Sequence, residues 1–362
     1  MNTIPEIPQT ISEISSSWLT AQLRRNSGLS DVTVRSFQYN QIGADQGNNG
    51  DIFQLHLDFD NVAQGPRSLV LKMPASTGGL FEPDMMNLLN SRETSFYNEL
   101  QGKVGLRVPK IYLAVSDTDT NRHLILMEDL SDLITESYQE FASPDKAVVC
   151  VQALASLHAR WWEDSRLRNF EWIDNYAKSS QISRERFSKM WSVTRSRYSG
   201  EFGEYAVTFG NMFEEKIDRV LQHLGSAPVT LNHGGPRPAN MVIDSTVEPP
   251  EPVLFDWQRP SYRRGAVDLA HYIGRGVMHS NDASIVTELV DYYYANLLNE
   301  GVRDYDADQL LFDFHLGLHI PFVIMVSQAW RADPEVGIAS TAILRTKGLI
   351  ECVDALATLK DL

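Results

Sequence analysis

The chain has 362 residues, 43% hydrophobic and 22% charged, with a formal net charge of −15: room for two lobes with cores of their own, in the ordinary balance of a globular protein. The acidic balance speaks against a nucleic-acid partner, which needs a basic face, and the apolar runs "LILM" (124–127) and "PFVIMV" (321–326) are far too short to span a bilayer. The opening "MNTIPEIPQT" lacks the basic-then-apolar order of a secretory leader, and two distant cysteines, Cys150 and Cys352, match no metal spacing, so a reduced, cytoplasmic protein is expected.

Along the chain, "VTVRSFQY" (32–39) has strand composition. "IFQLHLDFD" (52–60) alternates, with Phe53, Leu55, Leu57 and Phe59 on one face. The glycine- and asparagine-rich stretch between them (40–51) predicts a hairpin, and "SLVLKMP" (68–74) a third strand stopped by Pro74. "PDMMNLLNSRETSFYNEL" (83–100) predicts a helix with Pro83 in its first turn and a buried stripe of Met85, Leu89, Phe96 and Leu100. Glu93 lies on that stripe, and a carboxylate on a buried face needs a partner. Residues 109–117 and 122–130 predict a second hairpin.

Beyond residue 130 the pattern turns helical. Residues 143–164 form a helix capped by Ser143, with Ala147, Val151, Leu154, His158 and Trp161 on one face. Residues 180–224 are mostly helical, short strands return at 229–233, 241–244 and 253–256, and 266–362 reads as several helices. The boundary falls near Leu130–Ser131.

Several motifs carry little by themselves. Neither GxxxxGK[ST] nor a GxGxxG after a strand occurs; Gly43, Gly47 and Gly50 suit an ordinary hairpin turn as well as a phosphate-covering loop. His315 and His319 share a predicted helical face, but Leu316 stands where a zinc protease has its glutamate, so a core or pocket role is expected. His158 on an apolar face reads as a hydrogen-bonded structural histidine. The aromatics Trp161, Trp162, Trp172, Tyr176, Trp191, Tyr198 and Tyr205 suit core packing, or a cage for a quaternary ammonium group.

Four positions agree with one another. Lys72 follows the apolar run "SLVL" and precedes Glu93 by 21 residues; a strand lysine paired with a helix glutamate clamps ATP phosphates in protein kinases. His233, position 235 and Asn240 reproduce the H-x-D-x-x-x-x-N spacing of kinase catalytic loops, with Gly235 at the acid's place. Asp256 follows an apolar strand sixteen residues later, and an amide oxygen plus a carboxylate suit Mg²⁺. Lys72, Glu93, Asn240 and Asp256 are expected to converge on one cleft.

With "LVLK" (69–72), "RETSFYNEL" (92–100), "LILMEDL" (124–130), "LASLHARWW" (154–162), "HGGPRPANMVI" (233–243), "LFDWQRP" (254–260) and "AVDLAHYI" (266–273) in this order, the sequence resembles the aminoglycoside phosphotransferase and choline-kinase-like group of small-molecule kinases. The resemblance implies an α+β, bilobal protein-kinase-like fold, with a strand-rich nucleotide-binding lobe over 1–130 and a mainly helical lobe over 131–362. It implies ATP contacts from Lys72, Glu93 and the linker residues Met127, Glu128 and Leu130, and Mg²⁺ at Asn240 and Asp256. His233 and Arg237 would flank the catalytic position, with Asp268 and His158 as structural support. The partner would be a small-molecule hydroxyl acceptor, with no nucleic acid and no membrane. Gly235 departs from the pattern: glycine neither accepts nor orients the acceptor's proton. Impaired phosphotransfer and a non-catalytic nucleotide- or metabolite-binding role therefore stand side by side.

Overall fold

A computed structural model describes residues 7–25, 29–43, 50–60, 65–75, 83–133, 141–176, 183–332 and 338–362. These group into two compact units. The first joins 1–103 and 107–138 with a returning segment, 242–258; the second holds 104–106, 139–241 and 259–362.

The first unit is built on helix α1 (Ser16–Leu23) and strands β1 (Val34–Ile42), β2 (Gly50–Phe59) and β3 (Ser68–Pro74), followed by helix α2 (Pro83–Glu99) and strands β4 (Ile111–Asp117) and β5 (Arg122–Glu128). The strands form one antiparallel sheet in the order β1-β2-β3-β5-β4. Alternation decides what each face holds. Leu69, Leu71 and Met73 point into a core with Phe53, Leu55, Phe59, Leu124, Leu126 and the α1 residues Leu19 and Leu23. Lys72, between Leu71 and Met73, must therefore face the other way. The hairpin tip between β1 and β2, including Gly47, lies outside the described residues.

On α2 the buried residues are Met86, Leu89, Asn90, Arg92, Glu93, Thr94, Phe96 and Tyr97. The expected stripe is shifted at its start: Met86 is buried and Met85 only half so. Period 3.6 explains the change, since Met86, Asn90, Glu93 and Tyr97 follow one line down the helix. The returning segment carries strands β8 (Met241–Asp244) and β9 (Glu251–Leu254), a two-stranded sheet. Val242 and Val253 pack with Leu130, Leu133 and Phe255, which ties the segment to the end of β5.

The second unit is mainly helical: α3 (Pro144–Arg160), α4 (Arg184–Arg197), α5 (Ser199–Leu224), α6 (Ala266–Gly276), α7 (Ala283–Asn299), α8 (Ala307–Gly317), α9 (His319–Arg331), α10 (Ile338–Cys352) and α11 (Ala355–Asp361). A small sheet of β6 (Asp174–Asn175), β10 (Ser261–Arg263) and β7 (Thr230–Asn232) delivers the chain into the 233–240 loop. On α3, Ala147, Val151, Leu154 and His158 are buried and Trp161 follows at the cap. Ser143 stands at the N-cap in extended conformation, but its side chain makes no capping hydrogen bond; Pro144 at the first helical position lacks one of the donors that need a partner.

Two further expectations change in detail. His315 and His319 do not share a helix, because α8 ends at Gly317 and α9 begins at His319. His315 Nδ1 meets Thr358 Oγ1 at 2.8 Å, while His319 Nε2 meets the Tyr176 hydroxyl at 2.5 Å. The run Ala307–Arg331 is long and apolar enough to cross a membrane by length and composition. Its hydropathy has a plainer cause, for Leu310, Phe314, Leu316, Phe322, Met325 and Val326 are buried in the core. Trp161, Tyr176, Trp191 and Tyr198 are buried as well, Trp191 against Phe187, Phe202 and Phe322. These four form core, not an open aromatic cage.

Candidate active site

In the first unit the structure brings Lys72, Glu93 and Asp256 together. Lys72 Nζ donates to both Glu93 oxygens at 2.8 Å and to Asp256 Oδ1 at 3.0 Å. Burial alone would lower the Lys72 ammonium's pKa; the Asp256 and Glu93 carboxylates outweigh it and hold the lysine charged. Burial drives Glu93 the other way, upward, with Asp256 adding to the effect and Lys72 opposing it. Glu93 is 1% exposed, whereas the Asp256 side chain is 30% exposed and presents its carboxylate to solvent.

The local backbone explains this presentation. Asp256 lies two residues beyond β9 with φ +67°, a left-handed turn that aspartate tolerates better than most residues. Trp257, fully buried, anchors the turn: its indole donates to the Leu254 carbonyl at 3.1 Å and stacks on Phe96 at 3.9 Å between centroids. Phe96 sits one turn of α2 beyond Glu93, so one stacking contact sets the distance between the two carboxylates' elements. Gln258 adds a second tie, donating to Asn90 Oδ1 at 3.4 Å, and Asn90 in turn meets His123 Nδ1 at 3.1 Å. Burial, then the Lys72 charge, pushes the His123 imidazole down to about 3, so it packs as a neutral ring.

The linker residues Met127, Glu128 and Leu130 lie at the end of β5 and just past it, with Met127 and Leu130 buried. Glu128 is committed: Oε1 accepts from Arg107 at 2.8 Å and Oε2 from the Lys110 amide at 3.0 Å. Arg107 also donates to Asp244, whose other oxygen accepts from the Thr246 amide at 2.8 Å and from its hydroxyl. Asp244 thus holds a turn and an arginine, and its carboxylate is fully engaged.

The loop from His233 to Asn240 belongs to the second unit, and Asp268 in the first turn of α6 fixes it. The carboxylate accepts from the His233 amide at 2.6 Å and the Gly234 amide at 3.1 Å. Arg263 donates to the same carboxylate at 3.1 Å and to Asn232 Oδ1 at 3.2 Å. Burial would raise the Asp268 carboxyl; His158, Arg263 and His233 override it and hold it well below the usual range. His158 stands 3.6 Å from Asp268 and meets the Tyr293 hydroxyl at 2.6 Å.

The two glycines of "HGGP" are unequal. Gly234 has φ +85°, and a β-carbon there would meet the Arg259 carbonyl oxygen at 2.0 Å. Only glycine fits. A β-carbon on Gly235 would meet only Asn240 Nδ2 at 3.9 Å and His233 Nδ1 at 4.0 Å, ordinary contacts. The Gly235 amide donates to His233 Nδ1 at 3.2 Å, and its carbonyl accepts from Asn240 Nδ2 at 3.0 Å. That second bond orients the Asn240 amide. Arg237 precedes the short 3-10 turn Pro238–Asn240, and its carbonyl accepts from the Asn240 amide at 2.8 Å.

Sequence reasoning missed Arg263, Arg107 and the Gln258–Asn90 tie. The paired arginines 263–264 ahead of a buried helix were the one available signal, because buried cations demand carboxylates. Arg264 obeys the same rule, donating to the buried Asp313 at 2.7 Å.

An antiparallel five-stranded sheet with a lysine–glutamate pair, and a helical unit with a clamped His-x-x-x-x-x-x-Asn loop, define a protein-kinase-like fold of the small-molecule kinase type. Solved structures agree on that fold. An aminoglycoside phosphotransferase from Alicyclobacillus acidocaldarius is 12% identical, with 99% of this chain and 98% of that one covered at a TM-score of 0.50. The GDP and kanamycin complex of APH(2")-IIia is 10% identical, with 95% and 98% covered at 0.52. A search of the curated proteins finds no match. The model of the ecdysteroid kinase-like family matches residues 83–303, and the chain belongs to that family.

Proposed function

We propose that the protein is an ATP- and Mg²⁺-dependent phosphotransferase acting on a hydroxyl of a small molecule, with turnover lowered by the glycine at 235. The observation that carries this reading is Lys72, held at 2.8 Å by both Glu93 oxygens and at 3.0 Å by Asp256. A cation fixed in this way is ready for phosphate oxygens. The residues also suit the metal: the part-exposed carboxylate of Asp256 and the amide oxygen of Asn240 are the hard donors that Mg²⁺ takes. When bound, Mg²⁺-ATP supplies the transferable phosphoryl group. Lys72 and Asp256 would hold and neutralise its charge, and Met127, Glu128 and Leu130 would border the base through their backbone. We place this activity in the cytoplasm, which suits two free cysteines.

The family's description puts an ecdysteroid first among acceptors to try, with amino sugars, choline and simple amino alcohols beside it. Asp256→Ala should weaken ATP binding in Mg²⁺ by roughly tenfold or more, because the phosphate charge loses a metal ligand's support. Calorimetry with and without Mg²⁺ measures this. The same affinity under both conditions, in both proteins, would remove Asp256 from a metal role.

A specific observation favours a second reading, a non-catalytic nucleotide- or metabolite-binding protein. The loop carries no carboxylate at 235, and Asp244 is engaged by Arg107 and Thr246. Product formation from ATP separates the two readings, and binding alone does not.

A further inference from the structure

We propose that Arg345 binds an oxyanion of the acceptor, a carboxylate, phosphate or sulfate on an otherwise apolar hydroxyl compound, at the open face where the C-terminal end of α6 meets the 233–240 loop. The proposal rests on the phosphotransferase reading above and deepens it by naming the substrate class.

Three segments of the second unit build the place. The Ala142 amide donates to the Gly276 carbonyl at 2.7 Å and the Met278 amide to the Ala142 carbonyl at 2.9 Å, a parallel bridge between Ala142 and Val277. Side chains alternate across such a bridge. Ala142 and Val277 turn inward and are buried, whereas Phe141 and Met278 are each 39% exposed on the other side. Gly276 has no side chain, and a β-carbon there would collide with Pro238 Cδ, so the loop's Pro238 sits directly against it. Arg345, from α10, completes the group. It donates to the Val277 carbonyl, and its guanidinium carbon lies 3.4 Å from the Phe141 ring centroid. Contacts therefore run from the loop, through Gly276 and Val277, to the guanidinium.

Arg345 has no carboxylate. The buried arginines of this unit, Arg263 and Arg264, pair with Asp268 at 3.1 Å and Asp313 at 2.7 Å. Arg345, half-buried, makes one hydrogen bond and no ion pair among the described residues. The charge beside it is another cation. Burial first, and then Arg275, pushes the Arg345 guanidinium down to about 10, which leaves it charged at neutral pH. Arg275 itself donates to a neutral amide, Gln328 Oε1, at 3.0 Å. Capping the last carbonyls of α6 is one service of an arginine here, but it uses one of five donors, and a lysine would do it. Stacking on Phe141 fixes the plane of the fork, the geometry that takes a carboxylate or phosphate with two parallel bonds. In a chain of net charge −15, a half-buried cation left without a carboxylate leaves room for one from outside. Phe141 and Met278 would cover the acceptor's apolar part, and amino sugars or choline would meet like charge.

The test is binding, with matched pairs that differ only in charge. ω-Hydroxyoctanoate, 4-hydroxyphenylacetate and cholate, each against its own primary amide, are titrated by calorimetry into the full chain with a non-hydrolysable ATP analogue present. At least one acid should bind about tenfold or more tightly than its amide, the worth of one charge-assisted hydrogen bond. Arg345→Gln should bring that ratio to about one and leave the amide's affinity unchanged, while Arg345→Lys, which keeps the charge, should retain part of it. Raising the salt should weaken the acid's binding to the unsubstituted chain. This measurement needs no variant to fold, and general repulsion by the acidic chain would give the opposite sign. Amides bound as well as their acids, an acid preference that survives Arg345→Gln, acid binding that tightens with salt, or no binding by any of the compounds would overturn the proposal and leave Arg345 as a helix cap. An acid preference that Arg345→Gln abolishes, with no product formed from ATP, would sustain the site and sink only the phosphotransferase reading.

Discussion

Gly235→Asp is expected to raise phosphotransfer by on the order of 10²–10⁴-fold in kcat, the usual worth of a positioned base. The backbone already permits it. The β-carbon at 235 has open contacts of 3.9 and 4.0 Å, and the loop is fixed by Asp268 through residues 233 and 234, whose amides the substitution leaves alone. Gly234→Ala is the contrasting change: with φ +85° and a carbonyl oxygen 2.0 Å from the new carbon, it should distort the loop and lower stability by more than about 1 kcal/mol. ATP consumption and product mass check the first, and denaturant unfolding the second. Strong turnover in the Gly235 chain that does not rise with aspartate would show that the base has been misplaced.

The second large effect concerns stability. Asp268→Ala removes the carboxylate that neutralises the buried Arg263 and receives the His233 and Gly234 amides. Breaking a buried pair by deleting one partner costs roughly 3–5 kcal/mol. The sign of the pH dependence follows from the depressed carboxyl. Asp268 contributes fully above its unfolded pKa, near 4, and that contribution is lost as pH falls through the lower folded value. The gap in unfolding free energy between the unsubstituted chain and Asp268→Asn should therefore be constant from about pH 5 upward and narrow in acid. A gap that widens in acid would contradict the assignment.

Much of this site was legible in the sequence because the contributing residues sit in short, patterned segments. The apolar run before Lys72 marked its strand, helical period put Glu93 on a buried face, and the spacing from His233 to Asn240 marked a loop. Each is a local regularity that survives folding. What was hidden arises from meetings of distant segments. Arg107, Glu128 and Asp244 form one network from three separate stretches, and no spacing announces it. The choice between Met85 and Met86 depends on where α2 starts, which terminal residues leave open. The break at Leu318 between α8 and α9 is marked only by Gly317 just before it and Pro321 in the next turn, inside an apolar run that reads as continuous.

The division of labour between the two glycines bears on how such a protein changes over time. Shape is entrusted to Gly234 and Asp268, whereas position 235 beside them leaves room for a side chain. A carboxylate at 235 would not require the loop to be remade, because a β-carbon there meets only Asn240 Nδ2 at 3.9 Å and His233 Nδ1 at 4.0 Å, both ordinary contacts.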